Sequence, residues 1–247
     1  MPKIYLSPST QEGNPYITGS GSEEYQMNLL ADAMIPYLLS NGIQYTRNTP
    51  EMTAASSIRQ ANQGQYDFYL ALHSNASGDG KTEGPNRGIL AFYYPGSSFG
   101  QRAAEIFVDN LRRIYPLPAQ VQTRATTTLG EVRLPRFPAV LLEIGYHDNY
   151  ADARWIETSR ESIAESLVLS LTEIFALPFI MPSEVRYGTV SVQYGTLNLR
   201  ARPSPQGEII AHMPAGAVVE IYGSWQGWYV VHYQGYVGYA AEAYIAL

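Results

Sequence analysis

The chain has no cysteine. Disulfides, thiolate zinc ligands and cysteine nucleophiles are thereby excluded together, and any metal site has to be built from histidine and carboxylates. Histidine is itself scarce, being confined to His73, His147, His212 and His232. Charged residues make up 15% of the chain, below the usual value of roughly 25%. Lys and Arg number 16 against 22 Asp and Glu, for a net charge of −6, and there is no basic run. A nucleic-acid partner and an anionic membrane surface are both disfavoured on that ground. No apolar run reaches the length of a membrane span, so membrane insertion is not expected. No signal peptide is legible, because Lys3-Ile4-Tyr5-Leu6 goes straight into a strand-like pattern. A leader already removed and an export route without one both suit that start.

What is present is apolar content of 45%, ample for a core, in a length that suggests one or two domains. Ile4–Leu6 reads as a short strand. Ser22 reads as an N-cap with Glu23 and Glu24 in the first helical turn. Met27, Leu30, Met34, Tyr37 and Leu38 recur at helical spacing as far as Asn41-Gly42. A strand at 43–47, a helix at 52–63 and strands at 67–73 and 88–94 follow. A helix at 98–115, a strand starting at Val140 and a helix at 159–175 complete the pattern. Strands alternating with helices predict an α/β fold with a mostly parallel sheet flanked by helices.

Leu177-Pro178 and Met181-Pro182-Ser183 read as a linker, and the character changes beyond it. Residues 185–247 show no helical period and hold eight Tyr and two Trp, with glycine every several residues. Short strands and frequent turns over so few residues predict a small all-β, SH3-like barrel. The expected domains are 1–178 and 184–247.

The chemistry points to Val140-Leu141-Leu142-Glu143-Ile144-Gly145-Tyr146-His147-Asp148-Asn149. Gly145 breaks the apolar run, so Glu143 falls near the strand's carboxyl end, where ligands bind in open α/β sheets. A carboxylate between Leu142 and Ile144 is costly to bury without a partner. Glu143 with His147 is compatible with a metal site or an acid/base pair. It is equally compatible with a buried salt bridge to an Arg and a histidine that caps a turn. Glu24, His73 and Glu143 all fall where the fold predicts a shared crevice.

Four segments resemble the zinc-dependent N-acetylmuramoyl-L-alanine amidases of the amidase-3 type. They are Ser22–Leu29, Asp67–Ala76, Arg87-Gly88 with its following strand, and Pro138–Asn149. The resemblance spans roughly residues 3–176, and its second and fourth segments are the specific ones. It implies a peptidoglycan hydrolase that cleaves the amide between N-acetylmuramic acid and L-alanine by Zn2+-activated water, with glycan and peptide stem as partners. It implies Glu24 and His73 as zinc ligands and Glu143 as the catalytic carboxylate. The chain departs from the family at Ser7-Pro8-Ser9-Thr10-Gln11, where Thr10 stands in the slot of a third, histidine ligand. His147 is the expected replacement. The competing reading is a lapsed, metal-poor module that binds the wall, and a metallo-carboxypeptidase acting on peptide stems is disfavoured by the order of the motifs. Asn28 and Asn75 are candidates for hydrogen bonds to the ligands. Arg47 reads as a structural ion pair, Arg87 as a candidate for a substrate carboxylate, and Glu131 as surface-solvated or cleft-lining.

Residues 184–247 resemble the bacterial SH3-type modules of cell-wall enzymes through Leu197–Pro203, Gly216–Val219, Gly227–Val231 and Gly235–Tyr239. Tyr239 stands where tryptophan is frequent. Both resemblances imply a secreted or cell-wall location, as an autolysin or a phage endolysin.

Overall fold

The computed structural model describes residues 1–78 and 80–247. The chain divides into two compact units. One comprises residues 4–34 and 46–174, the other 175–247 together with 1–3 and 35–45.

The first unit is built on a six-stranded sheet. Its strands are β1 (Lys3–Pro8), β2 (Gln44–Arg47), β3 (Phe68–Asn75), β4 (Ile89–Tyr93), β5 (Val121–Ala125) and β6 (Ala139–Tyr146), in the order β2-β1-β3-β6-β4-β5. β1 runs parallel to β3, β3 to β6 and β4 to β5, while β4 is antiparallel to β6. β3 is buried along nearly its whole length, as a central parallel strand covered on both faces should be. The helices are α1 (Glu23–Ser40), α2 (Ala54–Gln63), α3 (Ser98–Leu111), α4 (Gly130–Arg133), α5 (Tyr150–Thr158) and α6 (Arg160–Phe175).

The mostly parallel α/β pattern is as the sequence predicts, with three elements added: β5, the four-residue α4, and α5. β5 was not legible because it is a polar edge strand, Val-Gln-Thr-Arg-Ala, with only Val121 buried. α5 starts directly after the turn at 147–149, and the side chain of Asn149 caps it by accepting from the amides of Ala151 and Asp152.

Capping fixes the helices that flank the site. Ser22 Oγ accepts from the amide of Tyr25 at 3.1 Å at the start of α1. Thr53 and Ser56 form a capping box on α2. One face of the sheet packs Tyr5, Tyr69, Ala71 and Leu141 against Ile58 and Ala61 of α2 and Val132 of α4. The Tyr5 and Tyr69 rings stack at 5.2 Å. Tyr69, Ala71 and His73 alternate onto that same face by the strand's period of two. The apolar layer therefore ends at His73.

In the other unit, β7 (Arg186–Val190), β8 (Thr196–Arg200), β9 (Ile209–Pro214), β10 (Val218–Trp225), β11 (Trp228–Tyr233), β12 (Tyr236–Ala241) and β13 (Ile245–Ala246) form an antiparallel sheet ordered β13-β7-β10-β11-β12-β8-β9. Leu197, Leu199, Met213, Val219, Ile221 and Val231 fill its core. Tyr239 is fully buried and its hydroxyl donates to the carbonyl of Asn41 at 2.9 Å. That bond gives a reason for tyrosine at a position where tryptophan is frequent. Tyr187, Tyr194, Tyr236 and Tyr244 are exposed.

Candidate active site

The site is assembled at the carboxyl ends of β1, β3 and β6. His73 and Glu143 are register partners on the parallel pair β3/β6. Both line a cavity of about 870 Å³ shared with Thr10, Gln11 and Glu131.

His73 is held at both ring nitrogens by carboxylates. Nδ1 lies 2.9 Å from Glu23 Oε1, and Nε2 lies 2.8 Å from Glu131 Oε2. Each carboxylate is itself anchored. Glu23 accepts from Asn14 Nδ2 at 2.7 Å. Glu131 accepts from Ser7 Oγ at 2.7 Å and from the Tyr69 hydroxyl at 2.8 Å. Burial works against a charged imidazole, but the hydrogen bonds it donates to Glu131 and Glu23 outweigh it and hold the His73 pKa well above the ordinary value. Burial likewise opposes ionisation of Glu23 and Glu131, and the bonds to His73 pull both below the usual carboxylate range. An imidazolium between two carboxylates is the consistent protonation state.

Glu143 is different. Its Oε2 is shut off from solvent and has no hydrogen-bond partner among the described residues. Burial pushes its pKa up to about 7; the His73 charge opposes the shift, and Glu23 and Glu131 add to it. A carboxyl without donors keeps its proton, because the charged form has nothing to replace water.

Two of the expected ligands lie elsewhere. Glu24 is partly exposed on α1, and Glu23, turned 100° around the helix, faces His73 instead. Slight burial and the nearby charges of Glu12 and Glu51 raise the pKa of Glu24. His147 is 2% exposed and lies beside the Ser74 side chain, whose Oγ is 3.3 Å from its Nδ1. Its Nδ1 donates to the carbonyl of Ser74 at 2.9 Å, and its ring stacks on Tyr16 at 5.8 Å. Ser74 and His73 are neighbours on a strand and point to opposite faces, so His147 and His73 do not converge.

The rest of the Tyr146–Asn149 segment also holds the fold together. Asp148 accepts from the amide of Ser77 at 2.6 Å, and Asn149 donates to the carbonyl of Gly84 at 2.9 Å. Arg87 is ion-paired to buried Asp152 at 2.8 Å. Arg47 pairs with Asp32 and bonds Asn28, the structural role expected of it. Asn75 accepts from the amide of the next residue. His232 pairs with Glu220, and His212 lies beside Thr196.

Glu131 is the residue whose role was hardest to read. It is buried rather than solvated. The signal for it was indirect: Tyr69 and His73 put two polar groups on a buried strand face, which requires a polar partner.

A hydrolytic zinc takes three protein ligands and leaves one position open. Glu23 and His73 Nδ1 supply two donors on one edge. Glu131 faces the opposite nitrogen, so it cannot join them. Gln11 Nε2 stands 3.4 Å from both Glu23 Oε1 and His73 Nδ1 and offers only a neutral amide. Among the described residues no group of three His, Asp or Glu converges as a metal site. The donor set does not fit a three-ligand zinc centre.

Comparison with known proteins agrees with the architecture. The family model described as N-acetylmuramoyl-L-alanine amidase matches residues 6–173, and that described as bacterial SH3 domain matches residues 195–246. The sporulation-specific N-acetylmuramoyl-L-alanine amidase of Bacillus subtilis (strain 168) is 23% identical over 81% of this chain and 77% of its own. The N-acetylmuramoyl-L-alanine amidase CwlM of Bacillus licheniformis is 24% identical over 72% of this chain and 70% of its own. The crystal structure of an N-acetylmuramoyl-L-alanine amidase from Clostridium difficile 630 superposes with a TM-score of 0.62 at 16% identity, covering 71% of this chain and 97% of that one. Since the amidase match takes in well over half of its residues, the chain belongs to the N-acetylmuramoyl-L-alanine amidase family and carries a bacterial SH3 domain after the amidase region.

Proposed function

We propose that Glu143 carries the proton transfers when the chain hydrolyses the amide between N-acetylmuramic acid and L-alanine in peptidoglycan. The observation behind this is a cavity-lining carboxyl beside His73 with an oxygen that has no hydrogen-bond partner among the described residues. Ionised Glu143 takes a proton from water as the oxygen attacks the lactyl carbonyl, and returns it to the L-alanine nitrogen as the C–N bond breaks. His73, fixed at both nitrogens, supplies positive charge at the wall of the cavity while charge develops on the carbonyl oxygen. Because the carboxyl must ionise to act as base, the rate should rise with pH through about 7.

Zinc dependence is typical of the family. Glu23 and His73 Nδ1 are the groups closest to a family-type metal site in this chain. They are one strong ligand short, and no step above runs through a metal.

The two functional parts are taken as residues 1–178 and 184–247, a division supported by the extents of the two family matches. The second part is read as a wall-tethering module that raises local enzyme concentration without touching the chemistry. Its exposed tyrosines suit stacking on sugar rings. The place of action is then the cell wall. No helix among the described residues is long and apolar enough to cross a membrane.

The test is Glu143→Gln, which keeps shape but cannot accept the proton. Release of L-alanine amino termini from purified peptidoglycan should fall by about 10²–10⁴-fold. An unchanged rate removes Glu143 from the mechanism.

A further inference from the structure

The cavity that holds His73 and Glu143 has one cationic side chain of a different kind on its wall. Arg59 lies on α2 and lines it, exposed. It makes no hydrogen bond or ion pair with any described residue. The other charged groups of the wall are committed: Glu131 to His73, Ser7 and Tyr69, and His73 to two carboxylates. Glu143 lacks a donor, and Arg59 lacks an acceptor. The amino-terminal turn of α2, at Thr53, Ala54 and Ala55, lines the same cavity. First-turn amides have no acceptor within their helix, so they add to the preference for an anion on that side.

We propose that Arg59 is a specificity-determining residue that binds a carboxylate of the peptide stem, on the acidic residue next after the L-alanine. The inference rests on the amidase reading above and deepens it. The glycan side of the scissile bond has no free carboxylate, since the lactyl carboxyl is consumed in the amide. The stem side does: an acidic residue linked through its side chain leaves its α-carboxylate free, one residue from the bond that breaks. A guanidinium presents a planar fork that matches a carboxylate at two points. A carboxamide at that position fills the same space, but it is neutral and can accept through only one oxygen. The apolar part of the wall, including Ile58, Leu134 and Leu141, suits the alanine methyl and the stem's aliphatic atoms.

The experiment uses the full chain and two soluble muramoyl peptides that differ only in a free α-carboxylate or a carboxamide on the second residue. The native chain should favour the carboxylate form in kcat/KM by roughly fivefold or more, with the difference in KM, on the scale of one partly solvated ion pair. Arg59→Gln should abolish the preference and leave the carboxamide form within twofold of native, while Arg59→Lys should keep part of it. Equal treatment of both peptides by the native chain, or equal loss on both in Arg59→Gln, overturns the proposal. Binding of the uncleaved peptides to Glu143→Gln protein, measured by calorimetry, separates the two readings. An Arg59-dependent preference in binding with no cleavage by the native chain keeps the inference and defeats the catalytic reading. Cleavage without preference does the reverse.

Discussion

His73 and His147 stand 74 positions apart by number, one near the end of β3 and the other just past the end of its neighbour β6, and both are almost wholly buried. Their surroundings could hardly differ more. His73 is met by a carboxylate at each nitrogen, opens on a cavity, and stands beside a carboxyl oxygen that has no hydrogen-bond partner among the described residues. His147 is met by a backbone carbonyl and a tyrosine ring, and its neighbours Asp148 and Asn149 bond the amide of Ser77 and the carbonyl of Gly84. The first histidine sits among charges that a closed core would not keep without use. The second completes the hydrogen bonding of buried backbone, which every fold requires. Burial and motif membership alone do not separate a chemical histidine from a structural one; the charge and direction of its partners do.

Adjacent carboxylates on α1 sharpen that contrast most. Glu23→Gln should cost about 30-fold or more in turnover and about 3 kcal/mol in urea unfolding, because it removes one side of a buried charge cluster. Glu24→Gln should change turnover by less than twofold. The reverse ranking would restore Glu24 to the site.

The next expected effect concerns metal. If the chain is one ligand short at the Glu23/His73 edge, Thr10→His should raise zinc affinity by about tenfold or more in chelator competition, since it returns an imidazole to the family's ligand slot. His147→Gln should leave zinc uptake as it is. A strong native zinc site lost in His147→Gln would break the comparison.

A smaller effect tests the state of Glu143. Its pKa in the fold is raised from 4.5 to about 7, so between those values the folded chain holds a proton that the unfolded chain has lost. The associated stabilisation is fully present below the unfolded value and disappears as pH rises through about 7. Glu143→Gln, neutral throughout, should therefore melt like the native chain near pH 4.5 and about 5 °C higher at pH 8. Equal melting at both pH values would mean the carboxyl is not held protonated.

Much of this was legible in the chain, and the parts that were not have physical reasons. The α/β order came from periodicity, and His73 and Glu143 came from polar residues at the ends of apolar runs. Glu23 was legible in principle: extending the Met27–Leu30–Met34 stripe back by one turn lands on it, whereas Glu24 falls off the stripe. The fate of His147 was not, because it depends on long-range contacts with Ser74 and Tyr16, and no local pattern specifies those. Glu131 escaped for a similar reason. It reaches His73 from a helix of four residues, too short to leave a periodic trace.

The most direct test puts the two histidines side by side. Turnover of a soluble muramoyl peptide per folded molecule should be measured for His73→Gln and His147→Gln under one set of conditions. The account predicts a loss of about a hundredfold or more for the first and less than threefold for the second. Comparable losses in the two variants would contradict it.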